Sequence, residues 1–134
     1  MALLQVNHLN VEFHTAIGTA HAVRDLSFSL NEGEILGIVG ESGSGKSVTS
    51  LTIMGLLEET ARVTSGEILF QGKDLLKLSE KEICTFRGKD MTMIFQEPAM
   101  ALNPVVKVRK QLQEVYRYHM PHRLKASNQE ISDP

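Results

Sequence analysis

The chain has 134 residues, about the length of one domain, and 42% of them are hydrophobic, enough to build a packed core. A net charge of −2 argues against nucleic acid as a partner, and the single Cys84 rules out an internal disulfide and suits a reducing compartment. No run approaches the roughly 18 apolar residues of a membrane span, and the opening Met1-Ala2-Leu3-Leu4-Gln5 lacks the cationic segment of a secretory signal.

Residues 3–13 read as a strand, with Leu9, Val11 and Phe13 alternating against Asn10 and Glu12. Residues 14–20, containing Gly18, read as a hairpin loop. Residues 21–30 read as the return strand, where Leu26, Phe28 and Leu30 alternate with Ser27 and Ser29. Asn31-Glu32-Gly33-Glu34 is a turn, and residues 34–39 form an apolar run of the buried-strand type. Gly40-Glu41-Ser42-Gly43-Ser44-Gly45-Lys46-Ser47 then has the spacing G-x-x-x-x-G-K-S of a phosphate-binding loop. Val48, Leu51, Met54 and Leu57 follow at helical spacing.

The residue types suit a triphosphate. Gly40, Gly43 and Gly45 can take backbone angles closed to residues with a Cβ, so the amides of Glu41, Ser42 and Ser44 turn inward with their own. The helix expected over residues 47–57, with Val48 in its first turn, points its positive end at the phosphates. Lys46 supplies a point charge to the β- and γ-phosphates, and the Ser47 hydroxyl a ligand for Mg²⁺.

Residues 58–65 read as a loop and 66–70 as a short strand closed by Gln71-Gly72-Lys73-Asp74. Ser79-Glu80-Lys81-Glu82 has the spacing of a capping box and opens a helix ending near Gly88. Residues 91–95 read as an apolar strand broken by Gln96-Glu97-Pro98. Asn103-Pro104 is a further turn, residues 105–119 are helical, and the polar segment 121–134 is a frayed tail. His8, His14, His21, His119 and His122 lack metal-ligand spacing. Met91, Met93 and Met100 read as packing residues, and Arg109, Lys110, Arg117 and Arg123 as a solvated helix face.

Three stretches together resemble the N-terminal part of an ATP-binding cassette ATPase, with a nearer likeness to importers of oligopeptides, dipeptides, nickel and glutathione. They are residues 22–28 leading through Gly33-Glu34 into the phosphate loop, then residues 65–70 with 72–75, then Met93-Ile94-Phe95-Gln96-Glu97-Pro98 with Ala101-Leu102-Asn103-Pro104. The likeness runs from about Leu3 to about Val115. It implies an α/β phosphate-loop fold, incomplete here: an antiparallel β subdomain over about 3–34 and 66–78, a core strand–loop–helix unit with the loop at 40–47, a glutamine loop over about 95–104, and a tail beyond 120. It implies ATP and Mg²⁺ as cofactors. Phe13 falls where the family stacks an aromatic ring on adenine, with His14 and Phe28 as alternatives and Phe28 read as core. Gln96 falls at the glutamine that reaches Mg²⁺ and its water and senses the membrane subunits, whereas Glu97 has no assigned role. The implied partners are permease subunits and a second ATPase subunit, identical or different, at the cytoplasmic face of the inner membrane.

The family's Leu-Ser-Gly-Gly-Gln motif, its apolar run ending in Asp-Glu and its switch histidine do not occur in these residues. The expectation is therefore a fragment, truncated frame or split gene, with negligible turnover by the chain alone and unpaired strand edges prone to aggregation. A GTPase would carry Asn-Lys-x-Asp and Asp-x-x-Gly, and neither occurs. A non-catalytic nucleotide-binding or interaction remnant is the alternative of a different class, and another phosphate-loop kinase or GTPase a further one.

Overall fold

A computed structural model describes residues 2–96 and 102–119. The chain divides into two units, Met1–Ile83 and Cys84–Pro134.

The first unit is built on an antiparallel sheet of β1 (Ala2–Thr15), β2 (Gly18–Asn31), β3 (Ala61–Phe70) and β4 (Lys73–Asp74), in the order β2-β1-β3-β4. Strands β1 and β2 run further than their sequence suggests. Thr15 faces Gly18, so the predicted loop at 14–20 shrinks to a two-residue turn of Ala16 and Ile17. Strand β3 begins at Ala61 rather than Gly66, because residues 10–13 of β1 offer an edge that Ala61, Arg62, Val63 and Ser65 complete. Gln71 and Gly72 both have left-handed backbones (φ 49 and 78), the geometry that matches the twist of a tight hairpin between β3 and β4. The core comprises Val6, Leu9, Val11 and Ile68, all fully buried, with Val23, Phe70 and Leu75 around them. Burying such side chains contributes about 1.5–3 kcal/mol each.

Alternation along β1 breaks between Val6 and Leu9, both buried though three residues apart. The cause is a bulge shared by three strands. His8 and Asp25 are left-handed (φ 49 and 47), and Gly66 (φ 103) packs so closely that a Cβ there would lie 2.7 Å from the carbonyl oxygens of Asn7 and His8. Asn10 fastens the bulge. Its amide nitrogen donates to the His8 carbonyl and to Ser65 Oγ at 2.9 Å each, and its oxygen accepts from the Asp25 amide at 3.0 Å. The His8 amide in turn donates to Ser27 Oγ at 2.8 Å.

Residues 34–39, expected as the core strand, join no ladder. Ile35 is 99% and Val39 97% exposed. A strand with two apolar faces needs neighbours on both edges, and among the described residues no strand pairs with it. The helix after the loop, α1 (Lys46–Ile53), is shorter than the predicted 47–57. Its buried positions are Thr49 and Thr52, not an apolar stripe, and each hydroxyl is satisfied by the carbonyl four residues back, Gly45 at 2.9 Å and Val48 at 2.7 Å. A 3₁₀ turn (Leu75–Lys77) follows β4, its Leu76 amide capped by the Asp74 side chain.

Helix α2 (Glu80–Phe86) opens with the predicted capping box: Glu82 Oε2 accepts from the Ser79 amide at 2.8 Å and from its hydroxyl at 2.6 Å. In the second unit, the strand expected at 91–95 reduces to one bridge between Arg87 and Met91. Helix α3 (Val108–His119) begins three residues later than predicted. Gln111 clamps the preceding turn, accepting from the Asn103 amide at 2.8 Å and donating to the Asn103 and Val106 carbonyls at 2.9 and 2.7 Å. No helix among the described residues is long and apolar enough to cross a membrane.

Candidate nucleotide site

The loop over residues 40–47 leaves this unladdered segment and turns directly into α1. Gly43 (φ 80) and Gly45 (φ 87) both hold left-handed angles, which cost a residue with a Cβ roughly 1–2 kcal/mol. Gly45 is the N-cap of α1 and offers no side chain to the helix's first amides. The amides of Gly45, Lys46 and Ser47 donate to no backbone acceptor among the described residues, whereas the Ser44 amide is held by the Glu41 carbonyl at 3.2 Å. Unpaired donors at a helix start form an anion site.

Lys46 folds back over the loop. Its Nζ donates to the Gly40 carbonyl at 2.7 Å, the Glu41 carbonyl at 2.6 Å and Ser44 Oγ at 3.1 Å. The two carbonyls fix the ammonium over the loop, and an anionic oxygen in place of the neutral Ser44 hydroxyl would make the third bond charge-assisted. A Cβ on Gly40 would lie 2.5 Å from Ser44 Oγ, so a side chain there would push at this same contact.

The loop leans on the sheet through Gly45. A Cβ there would fall under 3.0 Å from the Ala22 carbonyl oxygen and 3.3 Å from Val23 Cγ2. A cleft of about 340 Å³ results, lined by Phe13, Ala20, His21, Ala22 and residues 43–48. Phe13 and Val48 are half-buried along it, Ser47 is exposed, and Gly40, Glu41 and Ser42 lie outside its lining. The Ser47 hydroxyl makes no hydrogen bond among the described residues, so an oxygen at the helix start is free for a hard cation.

Phe13 thus shares one cleft with the loop, while His14 lies outside that lining, its amide held by the Thr60 carbonyl at 2.8 Å. Phe28 is half-buried, further along β2. Gln96 is an exposed bend residue of the second unit, and Glu97 to Ala101 lie outside the described residues, as does the segment 120–134. The lining contributed by Ala20, His21 and Ala22 was not singled out in the sequence.

Comparison with known proteins agrees with this geometry. The chain is 52% identical over 130 residues to the dipeptide transport ATP-binding protein DppD of Bacillus subtilis, covering 96% of this chain and 39% of that protein. It is 52% identical over 118 residues to the oligopeptide transport ATP-binding protein OppD of the same organism, covering 87% of this chain and 33% of that protein. The chain therefore spans little more than a third of the curated relatives it matches. Among solved structures, the dimeric structure of MJ0796, a bacterial ABC transporter cassette, superposes with a TM-score of 0.74 at 21% identity, over 86% of this chain and 47% of that one. A second structure of that cassette, bound to ADP and Pi, gives 0.71. The model of the ABC transporter family matches residues 23–133, beyond the point near Val115 where recognisable motifs stop, and the chain belongs to that family.

Proposed function

We propose that this chain is the nucleotide-gripping portion of the ATP-hydrolysing subunit of a peptide importer. The observation that carries the reading is the loop: two left-handed glycines, three unpaired amides at a helix start, and an ammonium already fixed above them. The names of the relatives, dipeptide and oligopeptide transport ATP-binding proteins, supply the class of cargo.

In this reading the amides of residues 40–48, that of Ser44 excepted, and Lys46 hold the phosphates of ATP, and Phe13 covers the face of the base. Mg²⁺, when bound, neutralises charge on the phosphates, and Ser47 is the residue of the loop that would hold it. Gln96 sits on the segment that transmits nucleotide state to the permease subunits, and a second ATPase subunit completes the site at the cytoplasmic face of the membrane. The glutamate that activates water and the second glycine-rich motif do not occur in these residues, so this chain alone turns over ATP negligibly.

Calorimetric titration of ATP and GTP onto the chain and onto Lys46→Ala tests the assignment. The expected result is ATP binding that the variant loses by at least tenfold. Equal binding by both proteins refutes the site, and ATP turnover that disappears in Lys46→Ala overturns the inactivity of the chain.

A further inference from the structure

His21 is a titratable side chain on the wall of the cleft that the reading above does not use. Its placement follows from a bulge. Val11 faces Val23 and Glu12 faces His21, so one step along β1 spans two along β2, and Ala22 is the extra residue. A bulge bends its strand and re-aims the side chains beside it. Here it sets the Ala22 carbonyl against Gly45 and puts His21 on the same wall as Phe13 and the phosphate loop. His21 Nδ1 lies 3.0 Å from Glu12 Oε1, with Glu12 21% and His21 46% exposed. A carboxylate at Nδ1 keeps the proton of the neutral ring on that nitrogen and leaves Nε2 as an acceptor. The ring is held at one end and open at the other.

The phosphate chain of a nucleotide calls for donors, and the loop amides with Lys46 provide them. A neutral imidazole acceptor suits the opposite partner, a donor on the nucleoside. Phe13 covers a base face but forms no hydrogen bond with its edge or with the sugar. We propose that His21, oriented by Glu12, reads the nucleoside by accepting through Nε2 a hydrogen bond from a ribose hydroxyl or the base amino group. The proposal rests on the nucleotide site described above and adds a polar contact to it.

The test compares ATP with inorganic tripolyphosphate, which fills the phosphate site and lacks the nucleoside. One neutral hydrogen bond corresponds to about a three- to tenfold change in affinity. His21→Ala should weaken ATP by that factor and leave tripolyphosphate within twofold, and His21→Gln, which keeps an acceptor, should recover part of the loss. Glu12→Ala should weaken ATP only while His21 is present, so the double variant binds no worse than His21→Ala. Repeating the titrations with 2′- and 3′-deoxy-ATP and with inosine triphosphate tells sugar from base, since the true donor's removal abolishes the effect of His21→Ala. Unchanged ATP affinity in His21→Ala overturns the proposal, as does an equal loss for tripolyphosphate, which would place the ring on the phosphates. Failure of the site itself reads out separately, as tripolyphosphate binding indifferent to Lys46→Ala. Far-UV circular dichroism melts on each variant guard the comparison: a melt displaced in His21→Ala transfers the decision to His21→Gln.

Discussion

Replacing Gly45 by alanine separates a loop held by geometry from a turn that merely tolerates glycine. The left-handed angle at residue 45 (φ 87) costs an alanine roughly 1–2 kcal/mol. The new methyl also meets the Ala22 carbonyl oxygen at under 3.0 Å and Val23 Cγ2 at 3.3 Å. Ala22 belongs to β2 and Val23 is buried, so neither can swing aside, and the overlap adds about 1 kcal/mol or more. Restoring the binding geometry then costs about 2–3 kcal/mol, a loss of about thirty- to 150-fold in affinity. Gly43→Ala carries only the angular term, because nothing lies within 4 Å of its added carbon, and should lose about five- to thirtyfold. Gly40 has no left-handed angle, and its added carbon meets side chains rather than backbone, Ser44 Oγ at 2.5 Å and Cβ at 3.3 Å and Lys46 Cδ at 3.9 Å, so Gly40→Ala should lose less than Gly45→Ala. Lys46→Ala should exceed all three, since a full charge at 4 Å is worth roughly 4 kcal/mol at an effective dielectric of 20. Calorimetry with tripolyphosphate, beside thermal melts of each variant, gives the order directly. Gly45→Ala binding within threefold of the parent, or Gly40→Ala proving as damaging as Gly45→Ala, refutes the reasoning.

Leu9→Ala should lower the free energy of unfolding by about 2–5 kcal/mol, measured as the urea midpoint, because Leu9 is fully buried where three strands meet. Asn10→Ala strands the Asp25 amide and the His8 carbonyl and should cost about 1–3 kcal/mol in the same assay; a loss below 0.5 kcal/mol would deny Asn10 its fastening role. Acid should weaken the fold at identifiable places. The Ser79 hydroxyl, and then its amide, hold Glu82 below the ordinary 4.5, while at Asp74 burial pushes upward but Lys77 and the Leu76 and Ile68 amides outweigh it and bring it below 3.8. Lowered values mean that these groups contribute fully above their ordinary values and lose that contribution as pH falls through the folded ones. Stability should therefore stay level down to about pH 4.5 on their account and fall below it, and an amide protection factor near Ser79 that does not drop in acid would contradict this. Ile35→Lys should change stability by less than about 0.5 kcal/mol and raise solubility, since that side chain is 99% exposed.

What could be read from residue order was whatever depends on near neighbours. The phosphate loop is eight consecutive residues whose types state their backbone angles, and the capping box needs only Ser79 and Glu82. The phase of Leu26, Phe28 and Leu30 was equally plain. The three-strand bulge was hidden because two of its left-handed residues are His8 and Asp25, which carry no glycine signal, and because register is settled by strands far apart in sequence. Residues 34–39 and 91–95 have strand composition, yet a ladder is a property of two segments, and neither finds a second among the described residues. The cleft wall at Ala20–Ala22 depends on a bulge opposite Glu12, again invisible to local pattern. The buried threonines of α1 defeated a purely apolar count because their hydroxyls bond back to the helix's own carbonyls.

The unladdered stretch 34–40 is the tether from which the phosphate loop hangs. No strand among the described residues pairs with it, so under the proposed function any of its residues left loose in the free chain would be fixed by nucleotide, each subtracting about 1–2 kcal/mol from the attraction of the loop. A polypeptide laying strands along either edge would meet that expense beforehand and sharpen the grip on the ligand. By reciprocity the ligand would tighten the hold of that polypeptide equally, so occupancy of the cleft and completion of the sheet act as one thermodynamic event.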